Sequence, residues 1–255
     1  MQGRPPCQID AMNDWDAATY DRIADPMFRW GTAVLQRLHL QGNEKVLDAG
    51  CGSGRVTELL ADLVPQGHVI ALDASPSMID EARNRLARFG ERISFYVADL
   101  QDALPVDGLD VVVSTATFHW VPDHDALFAN LGAAMRTGAK LEAQCGGVGN
   151  IERVKRAAVS AGAEWIDDVR FPTIRETRER LKRSGFTRIE CWAQEEPTRL
   201  EPGKPLRTYL RTIVLRTLID RMPEEERDPL LVRVERAMGE PVIDYVRLNI
   251  SAVHA

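Results

Sequence analysis

Residues 45–54 read KVLDAGCGSG, and no other segment constrains this chain as much. Val46 and Leu47 end an apolar run of the kind that forms a buried strand. Asp48 follows, and Gly50, Gly52 and Gly54 then occupy alternate positions. Arg55-Val56-Thr57-Glu58-Leu59-Leu60 opens a helical pattern. A strand, a tight glycine turn and a helix start together form a ligand cradle. Glycine lets the backbone approach a ligand and take up positive φ at low steric cost. The helix start presents N–H groups to an anionic group, and Asp48 adds a negative charge at the strand tip.

The rival pattern is the dinucleotide-binding G-x-G-x-x-G. Aligned on Gly50 and Gly52, its third glycine falls on Arg55. The glycines are G-x-G-x-G instead, with an acid two residues before the first. A carboxylate suits a ligand carrying an ammonium group and is poorly matched to a pyrophosphate. An ordinary glycine-rich turn with no ligand is the bland alternative. The combination resembles the first motif of class I S-adenosylmethionine-dependent methyltransferases.

A chain of 255 residues suits one α/β domain with an elaboration and buries a substantial core without disulfides. Cys7, Cys51, Cys145 and Cys191 are scattered with no C-x-x-C pair, which argues against a paired-cysteine metal site and fits a reduced, cytoplasmic protein. The start, MQGRPPCQID, has no apolar core of a signal peptide, and no run reaches the roughly 18 apolar residues of a membrane span. A net charge of −6 argues against nucleic-acid binding. The charge is uneven: Ile151 to Met222 carries 16 Lys and Arg against 11 Asp and Glu. A basic module on an acidic core hints at an anionic small substrate; solvated helix faces explain it equally well. The expected partner is a small molecule, with no nucleic acid and no membrane, and the chain is expected to be a monomer or weak homodimer.

Strands are expected at 46–48, 68–73, 93–97, 110–115 and 139–145, with helical patterns between them. Ser75-Pro76 reads as the N-cap and first residue of a helix ended by Gly90, and Asp123 as the cap of one stopped by Gly138. This alternation gives a doubly wound, Rossmann-like α/β sheet. Asp48, Asp73, Asp99 and Ala116 then meet in one crevice at the strand ends. Within one domain, residues 1–40 read as helical, a segment that the methyltransferase resemblance makes a lid, and 41–150 as the core. Helical cap elements follow at 151–184 and 203–240, the second holding a helix from Leu206 to Met222. Final strands are expected at 186–194 and 242–253.

Asp73 ends HVIALD, where an acid can accept both ribose hydroxyls of an adenosyl group. The methyltransferase resemblance implies that Asp99 meets the adenine amino group, with Leu100, Ala74 and Met78 beside the adenosyl moiety. It also implies that Thr115 and Ala116 pass the methionine part, and that His119 and Trp120 face the transferable methyl.

The resemblance narrows to the trans-aconitate 2-methyltransferase family. It is carried by W-D-A-x-x-Y (Trp15 to Tyr20), the glycine motif, F-H-W-V, Q-C-G-G-V-G-N, L-R-T-Y-L-R-T and D-Y-V-R-L-N-I-S-A, spread over nearly the whole chain. It implies a seven-stranded, mostly parallel sheet with the last strand antiparallel. It implies Trp15 and Tyr20 as lid residues over the cofactor, and Tyr209 and Arg211 near the substrate. It implies S-adenosyl-L-methionine as cofactor, S-adenosyl-L-homocysteine as product, and a small, anionic carboxylate acceptor. His119 then orients the acceptor or acts as its base. The alternatives are O- or C-methylation of a secondary metabolite, or a non-catalytic cofactor-binding protein of the same fold.

Overall fold

The computed structural model describes residues 25–165 and 169–255. Strands β1 (Lys45–Ala49), β2 (His68–Asp73), β3 (Ile93–Val97), β4 (Leu109–Thr115), β5 (Met135–Gly146) and β6 (Phe186–Glu195) are followed by a short pair, β7 (Thr198–Arg199) and β8 (Val242–Ile243), and by β9 (Val246–His254). The main sheet has seven strands in the order β3-β2-β1-β4-β5-β9-β6. Strands β1 to β5 run parallel, and β9 inserts antiparallel between β5 and β6. The expected doubly wound sheet is therefore present. Its strand order reverses where β1 lies between β2 and β4, which opens a crevice beyond the C-terminal strand ends.

The apolar runs explain why these strands lie in the middle. A parallel strand covered on both faces needs side chains buried in both directions. Val46, Val69, Ala71, Val111 and Val113 pack against α1 (Asp25–Leu35), α2 (Arg55–Leu63) and α3 (Pro76–Leu86). Their neighbours Leu47, Ile70, Leu72, Val112 and Leu141 pack on the other face against α4 (His124–Ala134) and α6 (Ile174–Arg183). A third cluster joins Trp30 and Tyr245 to α5 (Glu152–Ser160), α7 (Lys204–Tyr209), α8 (Arg216–Asp220) and α9 (Glu224–Met238). Among the described residues, no helix is long and apolar enough to cross a membrane.

Three sequence expectations are corrected. The helix capped by Asp123 ends at Ala134, and Gly138 is part of β5, at φ +82°, rather than a helix stop. Met135 already pairs with Leu109, so β5 begins early and reaches Lys140 through a register shift. The helical elements expected within 151–184 are α5 and α6. The helix expected from Leu206 to Met222 is interrupted by a π-helical turn at Leu210–Val214, where the Leu215 N–H donates to the Leu210 carbonyl. The inserted residue rephases the helix. Leu210, Ile213, Leu215 and Ile219 all stay buried in the third cluster, although a regular helix could not hold that spacing on one face.

Helix starts follow the capping signals. The Ser75 hydroxyl accepts from the Met78 N–H, and one Asp123 carboxylate oxygen accepts from the Asp125 and Ala126 N–H groups, both at 3.0 Å. Replacing Asp123 by Ala leaves those donors to water and lowers the unfolding free energy by about 1 kcal/mol, or roughly 2–4 °C in the thermal midpoint. Asp123→Asn, which keeps an acceptor, loses much less. Calorimetric melting of the two variants measures the difference.

Candidate active site

The glycine turn is built onto β2. The N–H groups of Gly50 and Cys51 both donate to the Leu72 carbonyl, at 2.7 and 3.0 Å, and that of Gly52 donates to Asp73 Oδ2 at 2.9 Å. The Gly54 N–H donates to the Cys51 carbonyl. These four N–H groups of the turn are satisfied within the protein, so of the local backbone donors only those at the start of α2 remain as the expected anion-facing group. The turn instead leaves a bare backbone face. A Cβ on Gly52, at φ +54°, would meet nothing within 4 Å, whereas one on Gly50 would overlap the Thr117 side chain at 2.2 Å. Gly50 therefore serves packing, and Gly52 fronts open space.

That space is a cavity of about 520 Å³, within the roughly 300–1,000 Å³ of small-molecule sites. Asp48, Gly50, Gly52, Asp73, Ala74 and Met78 line it from β1, β2 and the start of α3. Asp99, Leu100, Thr115 and Ala116 continue the wall past β3 and β4, and His119 and Trp120 follow on a single 3₁₀ turn. Twelve of the sixteen predicted site residues thus share one wall. Asp48 is 2% exposed and accepts from the Thr57 hydroxyl of α2 at 2.7 Å. Burial pushes its carboxyl up to about 6; Asp73 adds to the shift and the Thr57 bond opposes it. Asp73 Oδ1 accepts from the Ser75 N–H at 2.9 Å, and burial raises its pKa too. Asp99 accepts from the Gln101 N–H. Ala116 has φ +57°, a conformation costly for a residue with a Cβ, and it is held there by its N–H on the Gln144 carbonyl. Beside it, the Thr115 hydroxyl oxygen is buried with no hydrogen-bond partner among the described residues.

Two predicted residues lie elsewhere. Tyr209 is buried in the third cluster, its hydroxyl 2.9 Å from that of Tyr245, and only Tyr245 reaches the cavity. Arg211 is on the surface, paired with Asp228 at 3.5 Å and Glu224 at 3.6 Å. The π-helical turn is the cause: beyond it, Arg216, Thr217, Asp220 and Arg221 face the cavity. Trp15 and Tyr20 fall outside the described residues.

Sequence reasoning missed several lining groups. Met27 and Phe28 of α1 form part of the wall, and Arg55 fastens that helix with an ion pair to Asp25 at 2.9 Å and its guanidinium 4.6 Å from the Phe28 ring centre. Asn150 and Phe171 are added by loops. The most consequential omission is Arg247 of β9, which lines the cavity yet is only 1% exposed. Its guanidinium lies over the Trp30 ring at 4.2 Å, and its Nε donates to Gln144 Oε1 at 3.4 Å. Gln144 in turn donates to Asn249, which also accepts from Arg37, and Arg37 pairs with Glu142. Gln144 and Asn249 are directly opposed across β5 and β9, as are Glu142 and Ser251, so the network is a polar stripe on one sheet face. The signal was present in VRLNIS, where Arg247, Asn249 and Ser251 alternate with apolar residues in a strand that lies inside the sheet.

Carboxylates of Asp48, Asp73 and Asp99 line the cavity near the ends of β1 to β3, with Arg55 of α2 beside them; Arg247 lines it from β9, and Arg216, Asp220 and Arg221 from the helical cap, where Arg216 pairs with Asp220 at 3.2 Å.

Comparison with known proteins agrees with this geometry. The methyltransferase domain family matches residues 46–138. The trans-aconitate 2-methyltransferase of Methylobacterium nodulans is 30% identical over 240 residues, covering 90% of each chain, and that of Methylobacterium radiotolerans is 28% identical with 89% and 90% covered. Among solved structures, the Haemonchus contortus phosphoethanolamine N-methyltransferase 2, bound to phosphomonomethylethanolamine and S-adenosylhomocysteine, superposes with a TM-score of 0.64 at 20% identity. It covers 93% of this chain and 56% of its own, and shows the same fold.

The strained charge of Asp48 gives a direct test. Its folded pKa, about 6, lies above the unfolded value. The carboxylate therefore costs nothing below pH about 4, and the cost grows as pH rises to about 6, reaching up to about 3 kcal/mol. Asp48→Asn, which keeps an acceptor for Thr57, should be more stable than wild type at pH 8 and indistinguishable near pH 4. Urea unfolding at the two pH values measures this.

Proposed function

Because this chain belongs to the trans-aconitate 2-methyltransferase family of class I S-adenosyl-L-methionine-dependent methyltransferases, we propose that it methylates a small carboxylate held at the Arg247 end of the cavity. Its cofactor is S-adenosyl-L-methionine and the product is S-adenosyl-L-homocysteine. The residues present fit that group: a bare backbone face at Gly52, an orphaned Thr115 hydroxyl and three acids line one wall. When bound, it supplies a methyl on a sulfonium sulfur, whose C–S bond breaks with its electrons left on a neutral thioether.

At the acidic end, the roles of Asp73 and Asp48 follow from local chemistry, and those of Asp99, Leu100, Ala74, Met78, Thr115 and Ala116 from the family resemblance. Each Asp73 oxygen accepts one backbone N–H and keeps further acceptor capacity for a ribose hydroxyl. Asp48, ionised at neutral pH, favours the ammonium of an amino acid moiety. Asp99 takes the adenine amino group, with Leu100, Ala74 and Met78 against the adenosyl moiety. Thr115 and Ala116 border the methionine part. Trp15 and Tyr20 are assigned to the lid by family resemblance.

The acceptor reading rests on one observation, a guanidinium 1% exposed yet set in the cavity wall. An Arg fork grips a carboxylate at two points. A carboxylate is ionised at neutral pH, so no residue has to remove a proton before attack. The protein's work is then placement of the nucleophilic oxygen, which can contribute on the order of 7–11 kcal/mol.

Incubation with methyl-labelled cofactor and a panel of small acids, trans-aconitate among them, tests the proposal. Label should enter carboxylates and not their neutral esters or amides; preferred transfer to neutral phenols or amines would refute it. Arg247→Met should raise the acceptor KM by roughly ten- to hundred-fold, equivalent to about 1.5–3 kcal/mol, with S-adenosylhomocysteine affinity within a few-fold of wild type. Arg211→Ala, at the surface, should leave both unchanged.

A further inference from the structure

His119 has a fixed hydrogen-bonding sense. Its Nδ1 accepts the Gly146 N–H at 3.3 Å. A backbone N–H can only donate, so Nδ1 carries a lone pair and the proton of the neutral ring sits on Nε2. The ring has little freedom to rotate away. It is 7% exposed, stacked against Phe171 at 5.9 Å and tilted against Trp120 at 5.2 Å, and its own carbonyl is held by the Arg170 N–H. The lock is tight from the other side as well: a Cβ on Gly146 would come within 2.7 Å of the Phe171 ring and 3.0 Å of Asn150 Nδ2. His119 is one of the residues of the cavity wall.

We propose that His119 is a permanently neutral donor that presents Nε2–H to an oxygen of the acceptor carboxylate, and that it is a substrate-positioning residue rather than a base. The inference rests on the carboxylate reading and sharpens it: with Nδ1 engaged and Nε2 protonated, the ring has no lone pair facing the acceptor. The surroundings keep the ring uncharged. Burial holds its pKa well below the ordinary histidine value, and Arg247 on β9 and His124 on α4, the charged and titratable groups acting on it, push the same way. His124 is itself held down to about 4, chiefly by burial. The site thus selects acceptors that arrive already ionised.

The test has a readout independent of turnover. In ¹⁵N-histidine-labelled full-length enzyme, long-range ¹H–¹⁵N correlation should give His119 a protonated Nε2 and a bare Nδ1, unchanged between about pH 6 and 9. With S-adenosylhomocysteine present, saturating trans-aconitate should shift the Nε2–H resonance. Kinetics with the same acceptor add a second arm. His119→Gln, whose amide reaches the Nε2 position, should keep the acceptor KM within a few-fold, while the shorter His119→Asn should raise it about tenfold or more, with a flat wild-type pH profile. The other tautomer, an imidazolium in that range, an unmoved Nε2–H at saturation, or a rate that climbs with a histidine pKa would each overturn the inference. Failure of every carboxylate in the labelling panel, with the Nε2–H tautomer present, would instead refute the acceptor reading and with it the donor's assigned target.

Discussion

Everything at this site hangs on how the end of β1 is tied to the end of β2. Three consecutive N–H groups, from Gly50, Cys51 and Gly52, donate to the last two residues of β2. Two of these bonds converge on one carbonyl, which forces the chain to fold sharply over the neighbouring strand. The turn then has a bare backbone face outward and the Asp73 carboxylate beneath it. Asp73 is consequently both a structural acceptor and a cavity-lining acid. Replacing it with a residue lacking an acceptor would disturb the turn along with any hydroxyl it holds, so its two roles cannot be separated by an alanine.

The second organising feature is separation of charge along the sheet. From β2 to β9 the strand order crosses four spacings of about 4.8 Å, or roughly 19 Å before twist. The strand-end acids Asp48 and Asp73 belong to one side of this span and the buried Arg247 to the other. Burying carboxylates and an arginine in one cavity wall is costly, and the protein offsets the cost differently at each end. Backbone N–H groups and Thr57 stabilise the acids. A polar stripe across β5 and β9 and the Trp30 face stabilise Arg247. The antiparallel entry of β9 matters here, because its first residues arrive beside the last residues of β5 and put Arg247 opposite Gly146, whose missing side chain leaves room for Phe171 and Asn150 to close over the strand.

Much of this was legible from sequence for a simple reason. In a doubly wound sheet, the residue that ends a strand is automatically at the crevice, so Asp48, Asp73, Asp99 and Ala116 could be placed from apolar runs and turn residues alone. The cap was not legible in the same way. A regular helix from Leu206 to Met222 puts Arg211 and Arg216 on faces that periodicity assigns wrongly once a π-helical turn intervenes, and no composition signal marks that turn. Arg247 was missed because a buried strand arginine reads as an edge or surface residue until the sheet order places β9 between two neighbours. In the sequence Arg55 reads as a helix opener where a dinucleotide motif would have glycine; its service in fastening α1 over the cavity depends on Asp25 and Phe28, thirty and twenty-seven residues away in sequence.

The central claim is that one cavity holds the cofactor at its acidic end and an acceptor carboxylate against Arg247 and His119. A crystal structure of the enzyme with S-adenosylhomocysteine and trans-aconitate tests it most directly. The account expects ribose hydroxyls on Asp73 and a carboxylate in hydrogen-bond contact with the Arg247 guanidinium and His119 Nε2. A carboxylate bound away from Arg247, or an adenosyl group remote from Asp73 and Gly52, would contradict it.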